Sequence, residues 1–316
     1  MRAFLTVTGL LLTTLAAPAG ARADAVVVAD PAAVGVTALG RTIVWVRSSA
    51  GGRETLMRRD ANGNVARVKG APGVFSYGRV DLGRDARGRL VLTYLRCATP
   101  DSSCTALRDD LRGHRSSLSD LAVKGCEFTS APVLWGARVA YGLQCAGDVA
   151  VTRRSGLYVK RGTAPAKRLR VPATLPARVR NPLFVGSVDL RAERVAAVVD
   201  GDALTFSQDA DATRLRSFRA SLGSGPRPAR GLALGRDGTH WALSTDDDAY
   251  AAGLGLPAST VIYKQTATCL QRETITLPAG RLAATDIAVD DTTLHLIVPG
   301  VGIVTHDFKP DATPPC

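Results

Sequence analysis

Gly88-Arg-Leu-Val-Leu-Thr-Tyr94, a polar turn followed by an alternating apolar run, is one of six versions of the same pattern in the chain. The others are Gly40-Arg-Thr-Ile-Val-Trp-Val46, Gly136-Ala-Arg-Val-Ala-Tyr141, Ala192-Glu-Arg-Val-Ala-Ala-Val-Val199, Asp237-Gly-Thr-His-Trp-Ala-Leu243 and Asp290-Asp-Thr-Thr-Leu-His-Leu-Ile-Val298. Alternation marks each run as a strand with one buried face. With Ile43, Leu90, Val139, Val195, Trp241 and Leu294 taken as equivalent, the intervals are 47, 49, 56, 46 and 53 residues. A period of this size is that of four-stranded units repeated around a ring.

A further strand follows each copy: Thr55–Asp60, Thr105–Asp109, Leu157–Lys160, Leu204–Ser207, Val261–Lys264 and Ile303–His306. Five units then close with another, at Val65–Val68, Leu118–Val123, Arg168–Val171, Leu215–Phe218 and Thr274–Leu277. The sixth unit has no such strand, whereas Ala25-Val-Val-Val28 is a spare one at the other end. The expected fold is therefore all-β: a six-bladed β-propeller closed by an N-terminal strand completing the last blade. Such closure removes exposed sheet edges. A β-sandwich, two stacked β domains, or a ring of five or seven blades would use the same alternation. No linker divides the chain, so residues 24–316 read as one domain.

Two of the turns, Gly235-Arg-Asp-Gly-Thr-His-Trp-Ala-Leu243 and Gly83-Arg-Asp-Ala-Arg-Gly-Arg-Leu-Val-Leu92, resemble the S-P-D-G-x-x-I-A-F element of TolB-like, WD40-like six-bladed propellers. The resemblance covers most of residues 25–310. The family's proline is missing, and four copies match in apolar alternation alone. The resemblance implies a secreted propeller and does not extend to the partner-protein role of TolB itself.

Residues 1–23 read as a secretory signal peptide: Arg2, the apolar run Phe4–Ala17, and Ala21-Arg-Ala23 as the cleavage pattern. The apolar run falls short of the ~20 residues that span a bilayer, and no later segment approaches that length. The protein is thus expected outside the cell or in its envelope, with no membrane span. All six cysteines follow the signal peptide, and an even count in an exported chain suggests three disulfides. In the blade register the expected pairs are Cys97–Cys104, Cys126–Cys145 and Cys269–Cys316.

The 316-residue chain has a formal charge of +12, reduced to +10 by loss of Arg2 and Arg22. Of its 40 basic residues 34 are Arg, and of its 28 acidic residues 24 are Asp. The scarcity of Lys and Glu argues against long helices. Nine bases and no acid lie between Val149 and Val188. Arg153, Arg154, Arg178 and Arg180 fall in loops of one face in the blade register. They are candidates for binding an anion. Tyr158 is the one aromatic among those charges, so base stacking is not supported and nucleic acid is not expected.

Catalytic motifs are absent. There is no Gly-x-Ser-x-Gly, S-x-x-K or H-E-x-x-H, and the four histidines (114, 240, 295, 306) are dispersed. His240 and His295 read as strand-face residues. No metal or cofactor is assigned; Asp246-Asp-Asp248 reads as a solvated loop and Asp60-Ala-Asn-Gly-Asn64 as a hairpin turn rather than a calcium loop. The expected function is a monomeric secreted binding or scaffolding module, its basic patch meeting an anionic envelope polymer or an acidic protein. The alternative is a secreted hydrolase with its active site at the tunnel mouth.

Overall fold

The computed structural model describes residues 24–71, 74, 76–77, 79–99, 104–147, 154–169, 185–192, 194–199, 202–208, 215–219, 229–245, 259–266, 269–276, 283–291 and 293–311. The signal-peptide segment, Asp246–Asp248 and Cys316 lie outside them. Among the described residues the only helical element is a 3-10 turn at Ser119–Leu121; the rest of the regular structure is strand.

One turn device recurs. At Asp60-Ala-Asn-Gly-Asn64 the Asp60 carboxylate accepts the N–H groups of Asn62 and Asn64, both at 2.9 Å. Asp85 accepts those of Arg87 and Arg89 at 2.9 Å. Asp110 accepts those of Arg112 and His114 at 2.8 and 3.1 Å. The fourth residue of each is glycine at positive φ: Gly63 at 91°, Gly88 at 74°, Gly113 at 109°. Only a short carboxylate reaches its own turn in this way, and only glycine enters that φ region without strain. The device gives Asp a use that Glu does not share. It also establishes residues 60–64 as a hairpin turn.

The chain starts with β1 (Ala25–Val28). The first full sheet is an antiparallel meander of β2 (Ala33–Leu39), β3 (Thr42–Ser48), β4 (Glu54–Arg59) and β5 (Val65–Arg67). The second meander is β6 (Val80–Asp85), β7 (Leu90–Arg96), β8 (Thr105–Asp109) and β9 (Arg115–Ser117). Next come β10 (Cys126–Phe128), β11 (Val133–Gly136), β12 (Arg138–Cys145), β13 (Gly156–Arg161) and β14 (Lys167–Arg168), with β10 paired to β12 beside the main order. The second and third meanders share one sheet, because β6 and β11 pair in parallel at Arg84–Trp135 and Asp85–Gly136. Gly83 permits that approach: a Cβ there would lie 1.8 Å from the Leu134 carbonyl oxygen.

Two further four-stranded sheets follow. They are β15 (Val185–Arg191), β16 (Arg194–Val199), β17 (Asp202–Gln208) and β18 (Leu215–Arg219), then β19 (Ala229–Leu234), β20 (His240–Thr245), β21 (Ser259–Gln265) and β22 (Leu270–Thr276). The last sheet contains β23 (Asp286–Asp290), β24 (Thr293–Val298) and β25 (Gly302–His306), with β1 as its fourth strand. Val26 faces Val304 and Val28 faces Ile303 across that antiparallel pair. All six positions aligned in the repeat are the first or second residue of β3, β7, β12, β16, β20 and β24.

The leading strands of the units stand side by side. β2 lies against β6 and β23, β6 against β11, β11 against β15, β15 against β19, and β19 against β23. Apolar side chains fill the spaces between neighbouring sheets. Trp45 packs with Val28, Ile297 and Ile303; Leu82 and Tyr94 with Leu56; Leu190 and Val195 with Val133 and Leu157; Trp241 and Leu243 with Ile287 and Leu296. Each such side chain contributes about 1.5–3 kcal/mol by burial.

One strand assignment needs correction. The outer strand of the second unit is β9, not Leu118–Val123. The latter segment turns so that Leu121 enters the apolar cluster with Tyr141 and Leu143. Because β9 is exposed and polar, no alternation marks it. In the third unit β14 covers Lys167–Arg168, and residues 170 and 171 of the expected Arg168–Val171 strand lie outside the described residues. Cys126 lies in β10, directly opposite Cys145. The Cys97–Cys104 and Cys126–Cys145 disulfides are both present. Cys269 immediately precedes β22 and is also disulfide-bonded.

Candidate functional site

Apart from the short β6–β11 pairing, the inner edges of the leading strands carry backbone N–H groups with no sheet partner on that side. Polar side chains from the neighbouring unit supply acceptors. Asp286 of β23 accepts the Val36 N–H of β2 at 2.9 Å. The Thr37 hydroxyl of β2 accepts the Leu82 N–H of β6 at 2.9 Å. Asp81 of β6 bonds the Leu134 N–H of β11. Asp189 of β15 accepts the Leu234 N–H of β19 at 2.7 Å. Four junctions are thus joined through buried polar side chains, as satisfaction of an inward-facing backbone requires.

These strands surround a central cavity of about 200 Å³. Its polar lining includes Asp81, Asp189, Asp286, Glu54, Arg79 and Arg191, and its apolar walls include Val36, Val133 and Ile287. Arg191 stands at the end of β15 and is buried, at 6% exposure. Its guanidinium donates to the carbonyls of Leu82 (2.7 Å), Ala38 (3.4 Å) and Leu234 (3.4 Å), which belong to β6, β2 and β19. It also lies 5.2 Å from the ring centre of Trp135, the β11 residue paired with Arg84 of β6. One side chain therefore bridges three of the strands that line the cavity. The Asp189 carboxylate lies 3.9 Å from Arg191 Nε.

Burial raises the Asp81 carboxyl to about 7, and the neighbouring Asp189 adds to the rise. Arg191, the Leu134 N–H and the Thr37 hydroxyl oppose it. Asp81 Oδ2 is sealed from solvent and receives no hydrogen bond. Asp286 is also raised by burial, against the pull of Arg79 and two backbone N–H groups. A carboxyl that titrates near neutrality inside a cavity is a group suited to binding or to proton transfer.

Of the anion-binding candidates, Arg154 is described: it is exposed and donates to the Lys124 carbonyl at 3.3 Å. Arg153, Arg178 and Arg180 lie outside the described residues. Within the same basic block Lys160 is paired with Asp120. The histidines sit away from the cavity lining. His240 is held near 4 by burial and His295 is lowered by the same cause. His114 bonds Asp110 at the surface. His306 bonds Asp24 through Nδ1 and Glu273 through Nε2.

The repeat pattern located the second strands and so missed the leading strands, where the cavity residues reside. A signal was present. Val80-Asp-Leu82, Val188-Asp-Leu190 and Thr285-Asp-Ile287 each set an Asp between β-branched and aliphatic neighbours shortly before a repeat copy. An acid inside an apolar strand needs a buried partner.

Among the described residues no helix is long and apolar enough to cross a membrane. No family model matches the sequence, and no curated protein matches it. Solved structures do resemble the chain. A variant of AofleA from Arthrobotrys oligospora is 12% identical with a TM-score of 0.53, covering 88% of this chain and 83% of that one. A gluconolactonase from Xanthomonas campestris is 14% identical with a TM-score of 0.52, covering 86% and 85%. Puromycin hydrolase is 16% identical with a TM-score of 0.50, covering 84% of this chain; the chain spans half the length of that protein. At such identities the likeness concerns architecture alone. With its all-β sheets arranged as in these proteins, the chain has a β-propeller fold.

Proposed function

We propose that the chain is a secreted, monomeric six-bladed propeller, residues 24–316, closed by its N-terminal strand and acting as a binding module. The observation that carries this reading is the central cavity: it has a polar lining and is open to a small ligand, while its carboxylates are mostly bonded to backbone. The side-by-side order of the leading strands, with β2 against β23, supports six blades in a closed ring. Disulfides fit an extracellular setting. Cys269–Cys316 is the proposed third bond, and cleavage after Ala23 the proposed processing. N-terminal sequencing of the exported protein should read Asp24-Ala-Val-Val.

The basic face around the third unit is proposed to attract an anionic polymer or acidic protein. Retention of the Arg153→Glu/Arg154→Glu variant on an anionic polymer should end at a lower salt concentration than wild type; unchanged retention would remove this part of the reading.

The hydrolase alternative has Asp81 in its favour, since a carboxyl near neutrality beside a second carboxylate can move a proton. Among the described residues no Ser, Cys or His pair forms a nucleophile and base in the cavity lining. A panel of esters and lactones decides. Turnover that disappears in Asp81→Asn would make the protein an enzyme; no turnover above the variant's background supports the binding module.

A further inference from the structure

We propose that the central cavity takes a small organic cation, a primary alkylammonium compound, with Asp81 as its counter-ion. This rests on the reading of the cavity as the binding site. Four carboxylates line the cavity, Asp81, Asp189, Asp286 and Glu54, against the two guanidiniums of Arg79 and Arg191. Arg191 is committed to three carbonyls across the ring.

All four carboxylates have a backbone donor: Asp189 the N–H of Leu190 and Leu234, Asp286 that of Val36, Glu54 that of Tyr77 and Asp81 that of Leu134. Asp81 differs. It is 7% exposed, and its Oδ2 has no donor. The groups facing it are the Thr37 hydroxyl from β2, the Leu134 N–H from β11, and Asp189 and Arg191 from β15. A buried acceptor left without a donor is unfavourable, and a charged N–H donor relieves it.

The surroundings select the kind of cation. Among the described residues no three His, Cys, Asp or Glu side chains converge as a metal shell. Val36, Val133 and Ile287 instead provide apolar wall for a short alkyl chain. At about 200 Å³ the cavity suits a molecule of a few heavy atoms. Because Asp81 is raised by burial and by Asp189, an ammonium beside it favours the carboxylate, so uptake near pH 7 releases a fraction of a proton.

Isothermal titration of the full mature chain with n-butylammonium, n-butanol and butyrate tests the assignment, since the three differ mainly in head-group charge. Butylammonium should bind at least tenfold more tightly than the other two, weaken with salt, and show proton release between buffers of different ionisation enthalpy. Asp81→Asn should reduce binding at least tenfold and abolish the proton release. Val34→Trp offers a second route. Val34 lines the cavity and is 47% exposed, so the indole obstructs the mouth without touching a buried polar group. Butanol or butyrate preferred over butylammonium, with Val34→Trp sensitivity retained, overturns the cation and keeps the cavity as the site. No binding of any probe, or binding indifferent to both variants, overturns cation and site together.

Discussion

Asp81 and Arg191 show how single side chains govern the middle of this molecule. An unfolded aspartate titrates near 3.9, whereas Asp81 in the fold is raised to about 7. Between these values the folded protein keeps a proton that the unfolded chain has released. Stability therefore falls as pH rises through roughly 4 to 7, by at most about 1.4 kcal/mol per unit for one proton. Urea melts across that range should show the decline in wild type and a flatter profile in Asp81→Asn. Arg191 lends itself to a plainer test. Arg191→Met leaves the Leu82, Ala38 and Leu234 carbonyls without their donor and Asp189 without its neighbouring charge. Removing one side of a buried charged network costs about 3–5 kcal/mol, and the urea midpoint should drop accordingly.

At the scale of the element, the contact between β6 and β11 depends on glycine. Gly83→Ala drives a methyl group into the Leu134 carbonyl and should prevent the two meanders from sharing a sheet. Soluble, folded Gly83→Ala with unchanged melting would contradict that account. His306 on β25 holds the closing strand. Burial disfavours its charged form, but hydrogen bonds to Glu273 on β22 and to Asp24 beside β1 outweigh this and raise its pKa. The stabilisation is complete below the ordinary value of 6.5 and is lost as pH rises through the raised one. Proteolysis at the N-terminal strand should accelerate above neutrality in wild type, and His306→Gln should show the faster rate at all pH values.

How much of this was legible follows from burial. β3 and β7 are buried on both faces along most of their length, and what betrays them is an apolar run that follows a polar turn, Gly40-Arg41 and Gly88-Arg89. The leading strands are also mostly buried, β15 at every residue from Val185 to Arg191, but Asp81, Asp189 and Asp286 interrupt their apolar runs. A strand buried on both faces has no two-residue polar–apolar period to read. The outer strand β9 fails for the opposite reason: it is wholly exposed and carries no apolar stripe. The cavity residues were hidden because Asp81, Asp189 and Asp286 are far apart in sequence and meet only when the leading strands stand together. The cysteines were easier, because Cys97–Cys104 and Cys126–Cys145 close loops within local hairpins.

The two ends of the chain meet in one sheet, where β1 pairs with β25. Deleting residues 24–28 would leave β25 as an exposed edge and remove Val28 from the cluster around Trp45. The expected outcome is a lower melting temperature and a tendency to aggregate, read by calorimetry and light scattering. A variant as stable and monodisperse as the parent would show that β1 contributes nothing to closure. The same pairing constrains the order of events during synthesis. Ala25 and Thr305 bond across 280 positions, so one of the first strands to leave the ribosome waits for almost the last. Such distant contacts form slowly. A nascent chain can assemble its middle sheets yet cannot complete the sheet that contains both ends. Arrest of translation before residue 302 should yield a species whose first strand remains open to protease. A delay of that kind would keep the polypeptide threadable while any export machinery acts on it.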